Sequence, residues 1–585
     1  MLRLISHLRS PLDRAGHDVR PAVAHVATRS LQQRVLALMS ILFYLLPGLT
    51  GHQPWKQDET YIAEIVRTML AGGDWVVPRM AGEVFVEKPP LYYWIAALCV
   101  RLSGHWLALH DGARLANLLL LGSTCIVMER TARLCWSAAT AALAPLLLLA
   151  CLGTALHAHF LLTDLAMLPG VALCLYGVCA SPGHPRRGGL LLGAGIALGF
   201  MAKGLFLPCA VALWLLLLPL LFARWRGAAW RSALLWAGLV ALPLLLAWPC
   251  ALYLRSPAYF VEWFWLNNVG RFTGFSVPAL GAAHPRFFWL ATLPWFAAPA
   301  LPFALAACCL RRRRRAADDG VSEPALLLCA VMLALLVLSA SARNNYALPM
   351  LVPMALCALP AVTALPAAVD RRLALAVGAA FALAAAYLWV LYLKISLPHS
   401  GLPWLVADGV LPHAVRLPFD TARAALAALL TVAALAAALG PPAPAGRCLY
   451  SWTIGLALSW CLIASLLLPW IDAAKSYRAA FTELHAVLPR QWRCIGGVAL
   501  GESERALLSY YFGIVSVSGA AAARCDLLLV ESTPRFPLRP PDPQWWVLRW
   551  QGGRPGDVDE RFLLFVRRTG RARQVAAGAV DMTSR

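Results

Sequence analysis

Apolar runs long enough to cross roughly 30 Å of hydrocarbon as helices recur through most of this sequence. Inside a bilayer a helix is the open-chain element that satisfies its own backbone, so the runs restrict the fold more than any motif does. They place spans at about 33–52, 111–129, 136–153, 160–180, 188–203, 204–223, 231–254, 287–310, 324–341, 345–366, 372–395, 421–440 and 448–470. The reading is a polytopic α-helical membrane protein of about thirteen transmembrane helices. With 60% hydrophobic residues and a mean hydropathy of +0.66, a soluble globule with a polar skin is excluded.

The net charge of +22 would ordinarily raise nucleic acid as a partner. Its distribution excludes that, because the arginines sit in short connections between apolar runs. Arg130/Arg133, Arg186/Arg187, Arg224/Arg226/Arg231, the run Arg311 to Arg315, Arg371/Arg372 and Arg447 occupy every second connection, as the positive-inside rule requires. Residues 1–34 then form a basic cytoplasmic tail before an uncleaved first helix, and 35–470 a transmembrane domain. The opposite face receives the loop 53–110, the His157–Asp164 turn, the turn at Lys203, the loop 255–286, the Arg343–Tyr346 turn, the loop 396–420 and everything after Trp470. Candidate chemistry collects on that extracytoplasmic face, which excludes a mechanism needing ATP or a nucleotide sugar.

Residues 471–585 change to a mixed pattern and are read as a small extracytoplasmic α/β domain. An amphipathic segment at Tyr477–Leu488, β-like runs at Ile495–Leu500, Leu527–Glu531 and Phe562–Arg567, and a helical Ser503–Phe512 carry that reading. Most of the 16 cysteines lie in apolar runs as small hydrophobes; only Cys494 and Cys525 are placed to pair.

The polar residues of the first loop stand out against this background. Asp58 to Ala71 reads as an amphipathic helix, with Tyr61, Ile62, Ile65, Val66, Met69 and Leu70 on one face, Glu64 and Arg67 opposite, and Gly72-Gly73 as its stop. Asp58 falls at or next to its N-cap. Lys88 precedes Pro89-Pro90, which opens a second interfacial helix over 89–103, and a helix start with a lysine is an anion site. Asp58 and Glu59 alone would pass for capping and solvation. Asp164 and Lys203 lie at or within apolar runs, where an unpaired charge costs several kcal/mol, and they point to function.

Arg343 and Tyr346 can bind phosphate, with a snorkelling arginine as the alternative. In Y259-F-V-E-W-F-W-L-N-N-V-G-R the rings suit an interfacial belt, while Glu262, Asn267, Asn268 and Arg271 suit the polar wall of a lipid-head or sugar pocket. His157, His159 and His284, with Glu87 or Asp58, raise a divalent metal (Zn or Mg), against the competing reading of satisfied interfacial histidines. Glu87 and His284 are the metal candidates.

The segments D58-E-T-Y-I-A-E, L70-A-G-G-D-W-V-V-P-R, E87-K-P-P-L-Y-Y-W, T163-D, G199-F-M-A-K-G and Y346-A-L-P resemble the bacterial aminoarabinose lipid A transferase group. That group belongs with the protein mannosyltransferase-like, polyprenyl-phosphate-sugar-dependent glycosyltransferases of the integral-membrane C class (GT-C type). The match covers 33 to about 366 in order; the last third agrees only in architecture. The resemblance implies inverting transfer from an undecaprenyl-phosphate sugar to a periplasmic acceptor at a bacterial inner membrane, with lipid A as the leading acceptor. It maps the first-loop acid to Asp58, the second-loop acid to Asp164, the donor-phosphate lysine to Lys88 and a metal-contacting acid to Glu87. Glu59 stands beside Asp58 as a further candidate catalytic acid, and Lys203 with Arg343 and Tyr346 as candidate phosphate contacts. One departure is Tyr61, where the group carries an arginine. Transfer of another sugar to polysaccharide or protein, and secondary transport, are the alternatives.

Overall fold

The computed structural model describes residues 44–314, 320–397, 417–439, 446–534, 541–557 and 559–568, with the single positions 415 and 537. The basic tail, most of the first expected span and most of the 396–420 loop lie outside the described residues. Every other expected span coincides with a helix or a group of consecutive helices. Among the described residues, seven helices are long and apolar enough to cross a membrane by length and composition, or eight if the bent pair Phe288–Phe296 and Ala300–Arg311 is one span. The remainder fall short for local reasons. Ala138–Ala150, Phe206–Leu221 and Ser322–Leu338 are short, Pro185–Lys203 carries charge at both ends, and the 287–310 run bends by 95° where Pro299 interrupts it. The chain is a multi-pass membrane protein.

The first loop forms α1 (Asp58–Leu70), a two-stranded hairpin of β1 (Arg79–Met80) and β2 (Glu83–Val84), and α2 (Leu91–Ser103). Asp58 and Glu59 occupy the first turn of α1, where the helix dipole favours carboxylates. Gly72, at φ +95°, takes the left-handed conformation just beyond its end. α2 begins directly after Pro90.

Three long helices follow and are central to the site: α3 (Leu109–Ala132), α4 (Met167–Ala180) and α5 (Pro185–Lys203). α4 and α5 touch backbone to backbone. A Cβ at Gly177 would lie 2.6 Å from the Gly188 carbonyl oxygen, and one at Gly195 would lie 2.6 Å from that of Gly170. Small residues at such spacing allow the close approach that drives helix association in lipid. The consequence is registry: the turn that opens α4 meets the last residue of α5, which joins Asp164 to Lys203.

After Lys475 comes a layered α/β domain. Helices α6 (Arg478–Ala486) and α7 (Glu502–Phe512) pack on a mixed sheet of β3 (Ile495–Val498), β4 (Ser516–Val517), β5 (Leu527–Ser532), β6 (Trp546–Gly552) and β7 (Arg561–Arg567), in the order β4-β3-β5-β7-β6. β3 pairs in parallel with β4 and β5, and β7 antiparallel with β5 and β6. Its core is Tyr477, Phe481, Ile495, Leu507, Leu527, Leu529, Phe562 and Leu564. Cys494 and Cys525 form the disulfide, Cα to Cα 5.0 Å. The sequence reading misses β4 and β6; β6 is a largely exposed edge strand without the apolar alternation that marks a half-buried one.

The domain sits on the first loop. Glu64, placed with Arg67 opposite the apolar face of an amphipathic α1, is 1% exposed: Arg67 donates to it at 2.6 Å, and Ser509 of α7 at 2.6 Å. Periodicity marks a polar face but cannot say that another domain's hydroxyl covers it. Tyr511 donates to Gln53 at 3.1 Å, and Arg505 to Glu83 at 2.6 Å.

Lys56 of the loop completes a buried acidic cluster of Glu504, Glu531 and Glu560, lying 2.8 Å from Glu504 and 3.2 Å from Glu560. Burial first, and then the charge of Glu504, push the Glu531 carboxyl up to about 7. A folded-state value above the ordinary one means the folded chain binds more protons between about pH 4.5 and 7, so this group's contribution is present at low pH and lost as pH rises. Glu531→Gln should therefore gain stability on the wild type between pH 5 and 8, by up to about 3 kcal/mol, read as the difference in melting temperature at the two pH values.

Candidate active site

Asp58 accepts a hydrogen bond from the Tyr61 hydroxyl at 2.5 Å, one turn along α1. Lys88, just ahead of the diproline that opens α2, donates to the same phenol oxygen at 3.0 Å. Arg343 brings Nη1 to 3.7 Å from Asp58 Oδ1. Burial alone would raise the Asp58 carboxyl, but Lys88, the Tyr61 bond, Arg343 and Lys203 outweigh it and hold the group below the usual carboxylate range. Asp58 is therefore ionised at neutral pH. Burial and then the Asp58 charge hold the Tyr61 phenol well above 10, so it stays a donor.

A second group lies at the start of α4. Asp164, 1% exposed, is ion-paired with Lys203 and accepts from Asn345 Nδ2 at 3.1 Å. Lys203 Nζ stands 3.8 Å from the centre of the Tyr346 ring, a cation held by a carboxylate and an aromatic face together. Thus the turn 339–347 serves both groups, Arg343 reaching Asp58 and Asn345 reaching Asp164.

The third group joins Glu87 to Arg271, whose Nη2 donates at 2.7 Å. Arg271 follows a π-helical stretch, Glu262–Gly270, of the kind frequent at functional sites. Burial and then Glu87 raise the Glu262 carboxyl. Asn268 works as a bracket, accepting from the Leu205 amide at 3.1 Å and donating to the Trp263 carbonyl at 2.8 Å. Asn267 donates to the Glu262 carbonyl at 3.3 Å.

Buried polar atoms in these segments with no hydrogen-bond partner among the described residues include Tyr93 Oη, His159 Nδ1, Thr163 Oγ1, Trp263 Nε1, Asn267 Oδ1 and Arg271 Nε. Burying such groups unpaired costs about 1–3 kcal/mol each, which fits a site that completes them with a polar ligand. A cavity of about 260 Å³ opens beside Asp58 and is lined by Trp55, Lys56, His157, Arg343, Asn345 and Lys475 among others.

Glu59 is placed differently from the other candidates. Its carboxylate accepts from Arg114 Nε at 2.9 Å, the Leu161 amide at 3.0 Å and the Trp55 amide at 3.1 Å. It positions the loops that carry Asp58 and wall the cavity. Arg114, fully buried, also donates to Asp111 at 2.7 Å and to the His52 and Gln53 carbonyls. Sequence reasoning missed Arg114, Asn345 and Lys475. The signal for Arg114 was the Asp111-x-x-Arg114 pair entering an apolar run, where ionisable residues are functional by default.

Each of the three histidines is engaged by backbone carbonyls, and only His159 keeps a buried ring nitrogen, Nδ1, without a partner among the described residues. His157 bonds the Gly153 carbonyl at 2.7 Å, His159 that of Tyr44 at 2.9 Å while stacking on Trp460, and His284 those of Pro285 and Ser339. Glu87 is engaged by Arg271, and no third ligand stands with it and His284 among the described residues. The one group of three candidate ligands there is Glu504, Glu531 and Glu560.

Comparison with known proteins adds three findings. Residues 87–253 match the family described as dolichyl-phosphate-mannose-protein mannosyltransferase. The chain is 32% identical over 314 residues, 52% of each chain, to an undecaprenyl phosphate-alpha-4-amino-4-deoxy-L-arabinose arabinosyl transferase 2 of Pseudomonas fluorescens. It is 35% identical over 272 residues, 45% of this chain and 47% of the relative, to the arabinosyl transferase of Pseudomonas paraeruginosa. The chain thus spans about half the length of the curated relatives it matches. The crystal structure of ArnT from Cupriavidus metallidurans bound to undecaprenyl phosphate superposes with a TM-score of 0.66 at 17% identity, covering 92% of this chain and 97% of that one. The fold is the same.

Proposed function

With residues 87–253 falling in the dolichyl-phosphate-mannose-protein mannosyltransferase family as the premise, we propose that this chain is an inner-membrane glycosyltransferase. In this reading it moves a sugar from an undecaprenyl-phosphate donor to a periplasmic acceptor, and the leading activity is aminoarabinose transfer to lipid A. The single observation that carries the reading is the convergence on Asp58 of two cations, Lys88 through the Tyr61 hydroxyl and Arg343 directly. A sugar leaving a lipid phosphate deposits charge on a phosphate oxygen, and preorganised cations with little water around them are what such a departure requires. Lys88, Arg343 and the start of α2 supply them. The carboxylates Glu87 and Glu262 on the neighbouring wall suit a cationic amino sugar.

The state of Asp58 bears on the acceptor. A general base is most effective with a pKa near the working pH, whereas Asp58 is held below its ordinary value. It is a weak base for a sugar hydroxyl but a suitable positioning group for an acceptor that arrives already ionised. A lipid A phosphate is such an acceptor, and the cavity beside Asp58 offers it Arg343 and Lys475. The family segment and the fold favour transfer over transport. Tyr61, in place of the arginine carried by the group this chain resembles, is the feature that speaks for a different donor or acceptor.

Two results are expected. Lipid A stripped of its phosphates accepts no sugar, while phosphorylated lipid A does; equal transfer to both would replace the anionic acceptor with a hydroxyl. Tyr61→Phe removes the phenol that joins Asp58 to Lys88, lowers kcat/KM about tenfold, and costs no more than about 1.5 kcal/mol of stability. The check is steady-state kinetics alongside thermal melting.

A further inference from the structure

A second cavity of about 260 Å³ lies between α3, α4 and α5, and it belongs to no part of the site described above. Each helix contributes residues one turn apart on one face: Val127 and Arg130 from α3, Leu173 and Tyr176 from α4, Arg187 and Leu190 from α5. All three helices have their other ends in the candidate site, at Arg114, Asp164 and Lys203. Sixteen residues of helix separate Arg187 from Lys203, about 24 Å at 1.5 Å per residue, close to the thickness of the hydrocarbon core. The groove therefore opens at the opposite headgroup level, the face that the basic connections mark as cytoplasmic.

Its chemistry is apolar below and cationic above. Arg130 and Arg187 are both exposed and have no carboxylate partner among the described residues. The Arg187 guanidinium stands 6.0 Å from the centre of the Tyr176 ring, and Glu129, the acid next to Arg130, is taken by Arg133. The volume is below the roughly 300–1,000 Å³ that encloses a whole drug-sized ligand. It suits a headgroup whose chains continue along the apolar wall into the bilayer.

We propose that this groove binds one anionic glycerophospholipid of the leaflet at that face, its phosphate held by Arg130 and Arg187 and its upper acyl chain lying against Val127, Leu173 and Leu190. Guanidinium groups fork onto phosphate oxygens, and two unpaired ones select a net-negative headgroup over a zwitterionic one. The lipid would staple the three helices whose far ends carry the site. The binding is independent of which sugar, if any, the chain transfers.

The test is native mass spectrometry of the full chain in zwitterionic detergent, titrated with phosphatidylglycerol or with phosphatidylcholine of the same tails. One phosphatidylglycerol should remain bound under activation that strips phosphatidylcholine. Arg130→Gln with Arg187→Gln should weaken that binding by roughly thirtyfold, from about a factor of five for each surface charge. Arg130→Lys with Arg187→Lys should fall between it and the wild type. Arg371→Gln with Arg372→Gln, on another basic connection, should bind like the wild type. Equal retention of the two lipids by the wild type overturns the proposal without recourse to any variant. So does undiminished phosphatidylglycerol binding by the glutamine pair at 130 and 187, or an equal loss in the control at 371 and 372.

Discussion

Lys88→Ala is expected to lower sugar transfer from a lipid-phosphate donor by about 10²- to 10³-fold, the cost typical of removing one preorganised donor from developing negative charge. Lys88 is half-buried and bonded to the chain through the Tyr61 hydroxyl. Its loss leaves Arg343 to balance Asp58 from 3.7 Å, so the fold should survive. The loss should fall on kcat and on kcat/KM alike, as it does for an interaction made mainly in the transition state. Lys88→Arg, which keeps the charge but changes its reach, should recover part of the rate. A KM effect alone, with kcat unchanged, would make Lys88 a docking residue.

The second large effect is on stability. Arg114→Ala should cost about 3–5 kcal/mol, the range for breaking a buried ion pair from one side. Arg114 is fully buried and joins Glu59, Asp111 and the His52 and Gln53 carbonyls, so its removal leaves Glu59 buried at 3% exposure without its cation. The measurement is thermal melting in detergent, together with the yield of monodisperse protein. Combining Arg114→Ala with Glu59→Gln should cost less than the two single changes added, because the second substitution removes the orphaned charge. Strict additivity would mean that the two side chains are not coupled.

Much of the site was legible because a bilayer penalises unexplained charge. Asp164 and Lys203 stood out within apolar runs, and the structure pairs them. The α1 and α2 helices of the first loop were marked by the Gly72-Gly73 stop and the Lys88-Pro89-Pro90 start. What escaped depends on long-range partners. Glu64 looks solvated until Ser509, 445 positions away, closes over it. Arg114 looks like a flanking charge until His52, Gln53 and Glu59 converge on it. Glu59 and Asp58 are adjacent in sequence, and helical rotation gives one the Arg114, Leu161 and Trp55 donors and the other the Tyr61 hydroxyl. Broken spans were harder than whole ones, since hydropathy averages across the 95° bend between Phe288–Phe296 and Ala300–Arg311.

The central claim is tested most directly with the purified full chain in lipid nanodiscs, given undecaprenyl-phosphate aminoarabinose and phosphorylated lipid A, with products read by mass spectrometry. The expected result is lipid A heavier by one aminoarabinose, with free undecaprenyl phosphate released in step and both products falling together in Lys88→Ala. Folded protein that moves no sugar from this or any other lipid-phosphate donor would contradict it.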